Sequence, residues 1–414
     1  MMLQPIVVLP NLELGLTVML SAVDNAGFMY SVPSLKNETQ LAKTIATLNY
    51  LERCVKNGDW KNARELMEVI NRVGKLLLKY SFEETAIHNT VLRFMKLIRE
   101  ESLSGKVENE GLQSTLVSST SSNDWSLVGR EELCKQLLTA SIDLKTDIKG
   151  HLGYISSSSL NFIHSDELIL TVGYSKSVFN FLKYAANKKR QFRVIVCEAF
   201  PNTEGHKMAE TLAMEEISVV LVPDSHAFGL MARVNKVILS CDTVYPDGSL
   251  KAQTGTYAVM LAAKHFSIPT YVCLPSYKIS PVNFKLLPNC SNTLNSHAQC
   301  APESMTDFLE TADLSVNSLD APSRLLPASE CLAGSGPSPL VWLPNWDYIP
   351  PGLTSLFLTT EGGQAPSYLY AMVRELFNSD DVNQSLKWVE THETRLVSTC
   401  ITISRISYRL LKME

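Results

Sequence analysis

Between Glu38 and Glu101 apolar side chains recur every three or four positions. In ARELMEVINRVGKLLLKY (63–80), Leu66, Val69, Ile70, Val73, Leu76 and Leu77 fall on one face of a helix. AIHNTVLRFMKLIREE (86–101) repeats the pattern with Val91, Phe94, Met95 and Ile98, its Lys and Arg residues taking the other faces. The stretch 104–125 contains STLVSSTSSND, too polar and Ser-rich to pack, and reads as a loop between helices. Helical spacing resumes at Glu131 and runs to about Ser157.

From residue 167 the period changes. ELILTVG, FRVIVCE (192–198), ISVVLVP (217–223), KVILSCD (236–242) and TYVCLP (270–275) are short, β-branched and almost continuously apolar, as strands buried on both faces of a sheet must be. Helix-length segments lie between them at 176–190, 205–215, 225–233 and 254–266. Such alternation implies right-handed crossovers and a doubly wound, mostly parallel sheet, the α/β class. Ligands of such sheets sit beyond the carboxyl ends of the strands. Here those ends are the turns at Gly173, Glu198, Asp224 and Asp242.

Periodicity is lost from about 282 to 340, a stretch read as a long surface insertion. It returns in LVWLPNWDYIPPGLTSLFLTTEGGQAPSYLYAMVRELF (340–377), where Pro350–Pro351 and Gly362–Gly363 mark turns around a strand and a closing helix. The organisation is therefore a helical domain over 36–160 and an α/β domain over 161–381, with 1–35 and 382–414 unassigned.

Composition changes this picture little. With 414 residues, 45% hydrophobic and 19% charged, the chain can bury a sizeable core. A formal net charge of −5 gives no overall pull toward nucleic acid or an anionic membrane. Nine Cys without CxxC pairs fit a reducing compartment, hence the cytosol, better than a disulfide framework or a zinc site. No apolar run of about 20 residues predicts a membrane span. His164, His206, His226 and His265 are dispersed, so no metal is expected. NKKR (187–190) closes a helix, where basic residues complement the dipole.

The segments ARELMEVINRVGKLLL, EETAIHNTVLRFMKLIREE, IHSDELILTVGYS through GTYAVMLAAKHFSIP, and WDYIPPGLTSLFLTTEGGQAPSYLY together resemble the regulatory alpha/beta/delta subunit family of eukaryotic translation initiation factor 2B, its beta branch in particular. The resemblance spans roughly 40–380 apart from the Ser-rich loop and the insertion. A wider kinship runs to sugar-phosphate isomerases such as methylthioribose-1-phosphate isomerase, and implies a helical domain followed by a Rossmann-like domain.

That kinship permits a comparison residue by residue. In TVGYS, Gly173 stands where the isomerases place a reactive Cys, and Gly has nothing to titrate. Their Glu-x-Arg-Pro-x-x-Gln-Gly segment reads EAFPNTEG here: Glu198 stays, Phe200 replaces the phosphate-binding Arg, and Glu204 replaces Gln. Their Asn-Lys-x-Gly-Thr segment reads AQTGT, with Ala252 and Gln253 in place of the polar and cationic residues while Gly255 and Thr256 remain. Asp242 alone survives of the acid/base pair, and a lone carboxylate at a strand end is more often a cap than a catalyst. Ser175 and Gly173 at a helix start resemble a phosphate turn only weakly, without GxGxxG or a Walker pattern.

What the resemblance implies is a non-catalytic regulatory subunit of a guanine-nucleotide exchange complex, without a cofactor. Its expected partners are the delta, gamma, epsilon and alpha subunits of initiation factor 2B, and initiation factor 2 through its alpha subunit, whose phosphorylation it would help sense. It also implies that His164, Asp166 and Arg193 lie near the axis where beta and delta pairs meet, Asp166 and Arg193 being able to pair. EGGQAPSYLYAMVRELF resembles the family's dimerisation segment, with Leu369 and Met372 expected to face the partner. An aldose-ketose isomerase and a metabolite-binding regulator are the alternatives.

Overall fold

The computed structural model describes residues 39–80, 84–107, 129–282, 324–325 and 343–385. The expectations for 1–35, for most of 104–125 and 282–340, and for the tail beyond Ser385 fall outside the described residues.

Among the described residues four long helices come first: α1 (Gln40–Asn57), α2 (Ala63–Tyr80), α3 (Thr85–Val107) and α4 (Arg130–Ser157). Helix α1 is set by its caps. The Thr39 hydroxyl accepts from the Ala42 N–H at 3.3 Å, and beyond the last turn the Gly58 N–H donates to the Cys54 carbonyl. In α2 the expected stripe is buried at Leu66, Ile70, Val73 and Leu77, but Leu76 is 45% exposed. At about 100° per residue it sits roughly 80° from the middle of the stripe, outside the arc the core can cover. All four expected core residues of α3 are fully buried. That helix runs through Val107, so 104–107 are helical where the Ser-rich loop was expected to begin.

The α/β part alternates β1 (Glu167–Val172), α5 (Lys176–Asn187), β2 (Phe192–Cys197), α6 (Glu204–Met214), β3 (Ser218–Val222), α7 (Ala227–Met231) and β4 (Lys236–Ser240). The hairpin strands β5 (Thr243–Val244) and β6 (Leu250–Gln253) come next, followed by α8 (Thr256–His265) and β7 (Thr270–Cys273). After the insertion come β8 (Trp346–Ile349), β9 (Leu356–Thr359), β10 (Gly362–Gln364) and α9 (Leu369–Leu376). A further helical stretch covers 379–385, past the expected boundary at 381.

Among the described residues seven strands form one sheet in the order β10-β9-β7-β4-β1-β2-β3, parallel except for β10. The order reverses between β1 and β4, the switch point at which doubly wound sheets open a crevice. Helices α5 and α6 bury Val178, Phe181, Leu182, Met208 and Leu212 against Ile169, Val194, Val196 and Ile238 on one face. On the other face Leu170, Ile195, Val237 and Leu239 belong to one apolar cluster with α7, α8 and residues of α1, α2, α3 and α4. Each fully buried Leu, Ile or Val in these layers is worth about 1.5–3 kcal/mol of transfer free energy.

Two features depart from the sequence reading. Strand β3 is the sheet's edge, so Val220 and Leu221 are 52% and 38% exposed rather than buried on both faces. A second, antiparallel sheet, β5-β6-β8, was not foreseen; it joins Leu250 to Ile349 and Gln253 to Trp346 across the insertion. Among the described residues no helix is long and apolar enough to cross a membrane.

Candidate functional site: the turns at the carboxyl edge of the sheet

Gly173 closes β1 with φ +59°, a left-handed conformation natural for glycine. A Cβ built on it would run into Gln253 Oε1 and lie 3.3 Å from the Ala199 Cβ. Gln253 also hydrogen-bonds the Glu204 side chain. The glycine thus makes room for a glutamine that reaches in from β6. A cleft remains beside it, lined by residues 199–202, Gln253, Thr254 and residues 343–345. Of the expected pocket residues only Phe200 lines it.

The turn after β2 is held by an acid from the turn after the next strand. Asp224 accepts from the Ala199 N–H at 3.0 Å and the Phe200 N–H at 2.8 Å, occupying the amides that a phosphate could use. Phe200 is 51% exposed. Glu198 lies 3.6 Å from His206 Nε2.

The same device recurs at α8. Gly255 starts that helix with φ +95°, and the Asp347 carboxylate accepts from the Gly255 N–H at 2.8 Å and the Tyr257 N–H at 3.1 Å. A carboxylate from β8 therefore fills the positive end of the helix. Thr256 is buried at 3% exposure.

Asp242 is 8% exposed and committed to packing. It accepts from Gln40 Nε2 of α1, lies 3.6 Å from Lys251 Nζ, and is 3.5 Å from the Thr243 hydroxyl. Lys251 in turn sits 4.7 Å from the Trp346 ring centroid. The carboxylate ties the helical part to the sheet part. Among the described residues no group of three or more His, Cys, Asp or Glu could hold a metal ion.

The residues expected at a subunit axis lie at the opposite, amino edge of the sheet. His164, Asp166 and Arg193 are all exposed. The His164 N–H donates to Glu167 at 2.8 Å, and the Asp166 N–H to the Gln191 carbonyl at 2.7 Å. Among the described residues no ion pair joins Asp166 to Arg193. Leu369 and Met372 require a correction. They are 1% and 9% exposed, packed in this chain's own core, because α9 turns that side into the apolar cluster shared by the helical part and the sheet, while Tyr370 (62%) and the preceding Tyr368 (37%) face outward.

The decisive residues here, Gln253, Asp224 and Asp347, carry no local signal as a set. Asp347 is 92 positions from Gly255, and only the second sheet brings them together.

The model of the Initiation factor 2 subunit family matches residues 36–366. The chain is similar to translation initiation factor eIF2B subunit beta of Schizosaccharomyces pombe, 30% identical over 84% of this chain and 94% of that protein. The Dictyostelium discoideum protein of the same description is 29% identical over 81% of this chain and 90% of its own. Among solved structures, eIF2B beta from Chaetomium thermophilum gives a TM-score of 0.61 at 19% identity, covering 90% of this chain and 98% of that one. The tetrameric eIF2B-beta2-delta2 complex from C. thermophilum gives 0.60 at 20%, covering 89% and 100%. At those identities the structural likeness is one of fold.

Proposed function

Because this chain belongs to the initiation factor 2 subunit family, we propose that it is a non-catalytic regulatory subunit of the initiation factor 2B exchange complex and acts through surfaces rather than a pocket. One observation carries the reading. Each turn that could grip an anionic substrate is already filled by the chain itself: Gln253 at Gly173, Asp224 at Ala199 and Phe200, Asp347 at Gly255 and Tyr257. Sugar-phosphate isomerisation needs an acid/base pair and a phosphate grip. Here Asp242 is bonded into the junction through Gln40 and Lys251 instead. Similarity to the beta subunits supports partners of the delta, gamma, epsilon and alpha classes. The same reading has the protein work in the cytosol, engage the alpha subunit of initiation factor 2 and respond to its phosphorylation.

The partner-facing side of α9 is, on this reading, Tyr368 and Tyr370, with the Arg374 guanidinium 5.9 Å from the Tyr370 ring centroid. Affinity purification of the full chain with native mass spectrometry tests the assembly, and Tyr370→Asp tests the surface. The variant should keep wild-type stability, within about 0.5 kcal/mol as for exposed positions, while co-purified partner falls at least about tenfold, the equivalent of roughly 1.4 kcal/mol. Recovery of no related subunit with the wild-type chain would sink the assembly reading. Undiminished partner with the variant would remove α9 from it.

A further inference from the structure

Helix α3 turns a polar stripe toward the α/β part. At about 100° per residue, Thr85, Asn89, Arg93, Lys96 and Arg99 share one arc, and four of them reach across. The Thr85 hydroxyl meets that of Thr243, Arg93 Nη1 donates to Ser276 Oγ at 3.0 Å, Lys96 Nζ donates to the Glu375 carbonyl, and Arg99 clasps Asp381. Asn89 lies in the middle of this arc. It is 2% exposed, and neither its amide oxygen nor its amide nitrogen makes a hydrogen bond to any described residue. Buried polar groups are almost always satisfied, so one that is not points to something it is built to meet.

The charge around it is unbalanced in the same sense. Other buried cations have an acid beside them: Lys43 has Glu84 at 2.6 Å, Lys236 has Glu167 at 2.7 Å, and Arg99 has Asp381 at 2.6 Å. Arg93 and Lys278 have no carboxylate within 4 Å among the described residues. Lys278 is 9% exposed and donates to Ser240 Oγ at 3.0 Å and the Cys241 carbonyl at 2.5 Å. Ser276, 9% exposed, lies 3.1 Å from His151 Nδ1 as well as bonding Arg93. Burial pushes the Arg93 guanidinium down to about 10, although Asp147 of α4 opposes the shift.

We propose that Asn89, Arg93, Ser276 and Lys278 form a binding site for a small oxyanion of the phosphate class, held between α3 and the loop after β7. A guanidinium fork, an ammonium, an amide NH2 and a hydroxyl are the donors such an ion takes. The ion would add the close negative charge that Arg93 and Lys278 lack within 4 Å and draw the helical part onto the sheet. The site is independent of the subunit reading and separate from the cleft beside Gln253.

Hydrogen exchange read by mass spectrometry tests it, on the full chain with its co-purified partners, in inorganic phosphate against chloride at equal ionic strength. Phosphate at twice its Kd should slow exchange of peptides covering 85–99 and 270–282 about threefold, the factor by which a ligand suppresses opening. Arg93→Met should abolish that protection. Asn89→Leu, which replaces an unpartnered amide with an apolar group of similar size and should keep the fold, should abolish it too. Equal exchange of the wild type in phosphate and chloride overturns the proposal. So does protection that survives in both variants, or that spreads evenly over the chain.

Discussion

The turns at the carboxyl edge of the sheet and the seam between α3 and the sheet are both polar, yet they are built in opposite ways. At the turns, side-chain acids bond backbone amides in partly exposed loops: Asp224 on Ala199 and Phe200, Asp347 on Gly255 and Tyr257. At the seam, side chain meets side chain deep in the molecule, as where Asp381, fully buried, takes both Nε and Nη2 of Arg99. The first arrangement shapes a loop and closes it to anions. The second joins segments nearly 300 residues apart in the chain, and its groups have no water to fall back on. Seam substitutions should therefore cost much more than turn substitutions.

The largest difference is expected at the clasp. Arg99→Met leaves the Asp381 carboxylate buried and unpaired, and should lower unfolding free energy by about 3–5 kcal/mol, measured by urea unfolding. A loss below about 1 kcal/mol, the range of exposed pairs, would erase the distinction between the regions.

Acid should also attack the seam. Burial pushes His151 down to about 4, helped by the Arg93 charge, and burial alone pushes His88 to about 4. Unfolded, both take up protons near pH 6.5. The unfolded state then binds more protons between pH 6.5 and 4, so stability falls as pH drops through that window and is regained above it. Unfolding free energies at pH 7, 6 and 5 check this, and His151→Gln should flatten the slope.

A smaller effect belongs to Gly173. Alanine there must hold a left-handed backbone, at roughly 1–2 kcal/mol, and displace Gln253. In a double-mutant cycle, Gln253→Ala should recover about 0.5 kcal/mol or more of that loss; strict additivity would mean the two side chains do not compete. The smallest is Asp347→Ala, where removing the cap from α8 should cost about 1 kcal/mol, seen as a shift of about 2–4 °C in Tm.

Much of this was legible in the chain. Strands β1, β2, β4 and β7 stand out because a strand covered on both faces must be apolar throughout, and α3 because its stripe keeps a strict period. Other features were not. Leu76 and Val220 are apolar but lie where the described residues leave about half of each uncovered. In LYAMVREL, Leu369, Met372, Val373 and Leu376 share one arc of the helix and Tyr370 lies off it, so the apolar stripe was legible, but whether a partner or this chain's own core covers it was not. The loss of a reactive Cys and a phosphate-binding Arg could be read by resemblance, whereas the filling of their places by Gln253 and Asp224 could not.

The sequence by itself determined the α/β alternation, the helical start and the family resemblance. These depend on local periodicity and residue chemistry, which act over a few positions. Only the tertiary structure decided the strand order, the second sheet, which apolar faces are covered, and which polar groups meet across the α3 seam. Those depend on contacts between segments tens to hundreds of residues apart, such as Arg93 with Ser276 and Arg99 with Asp381. Such pairs leave no periodic trace in the chain, because each is chosen by the packing of everything between them.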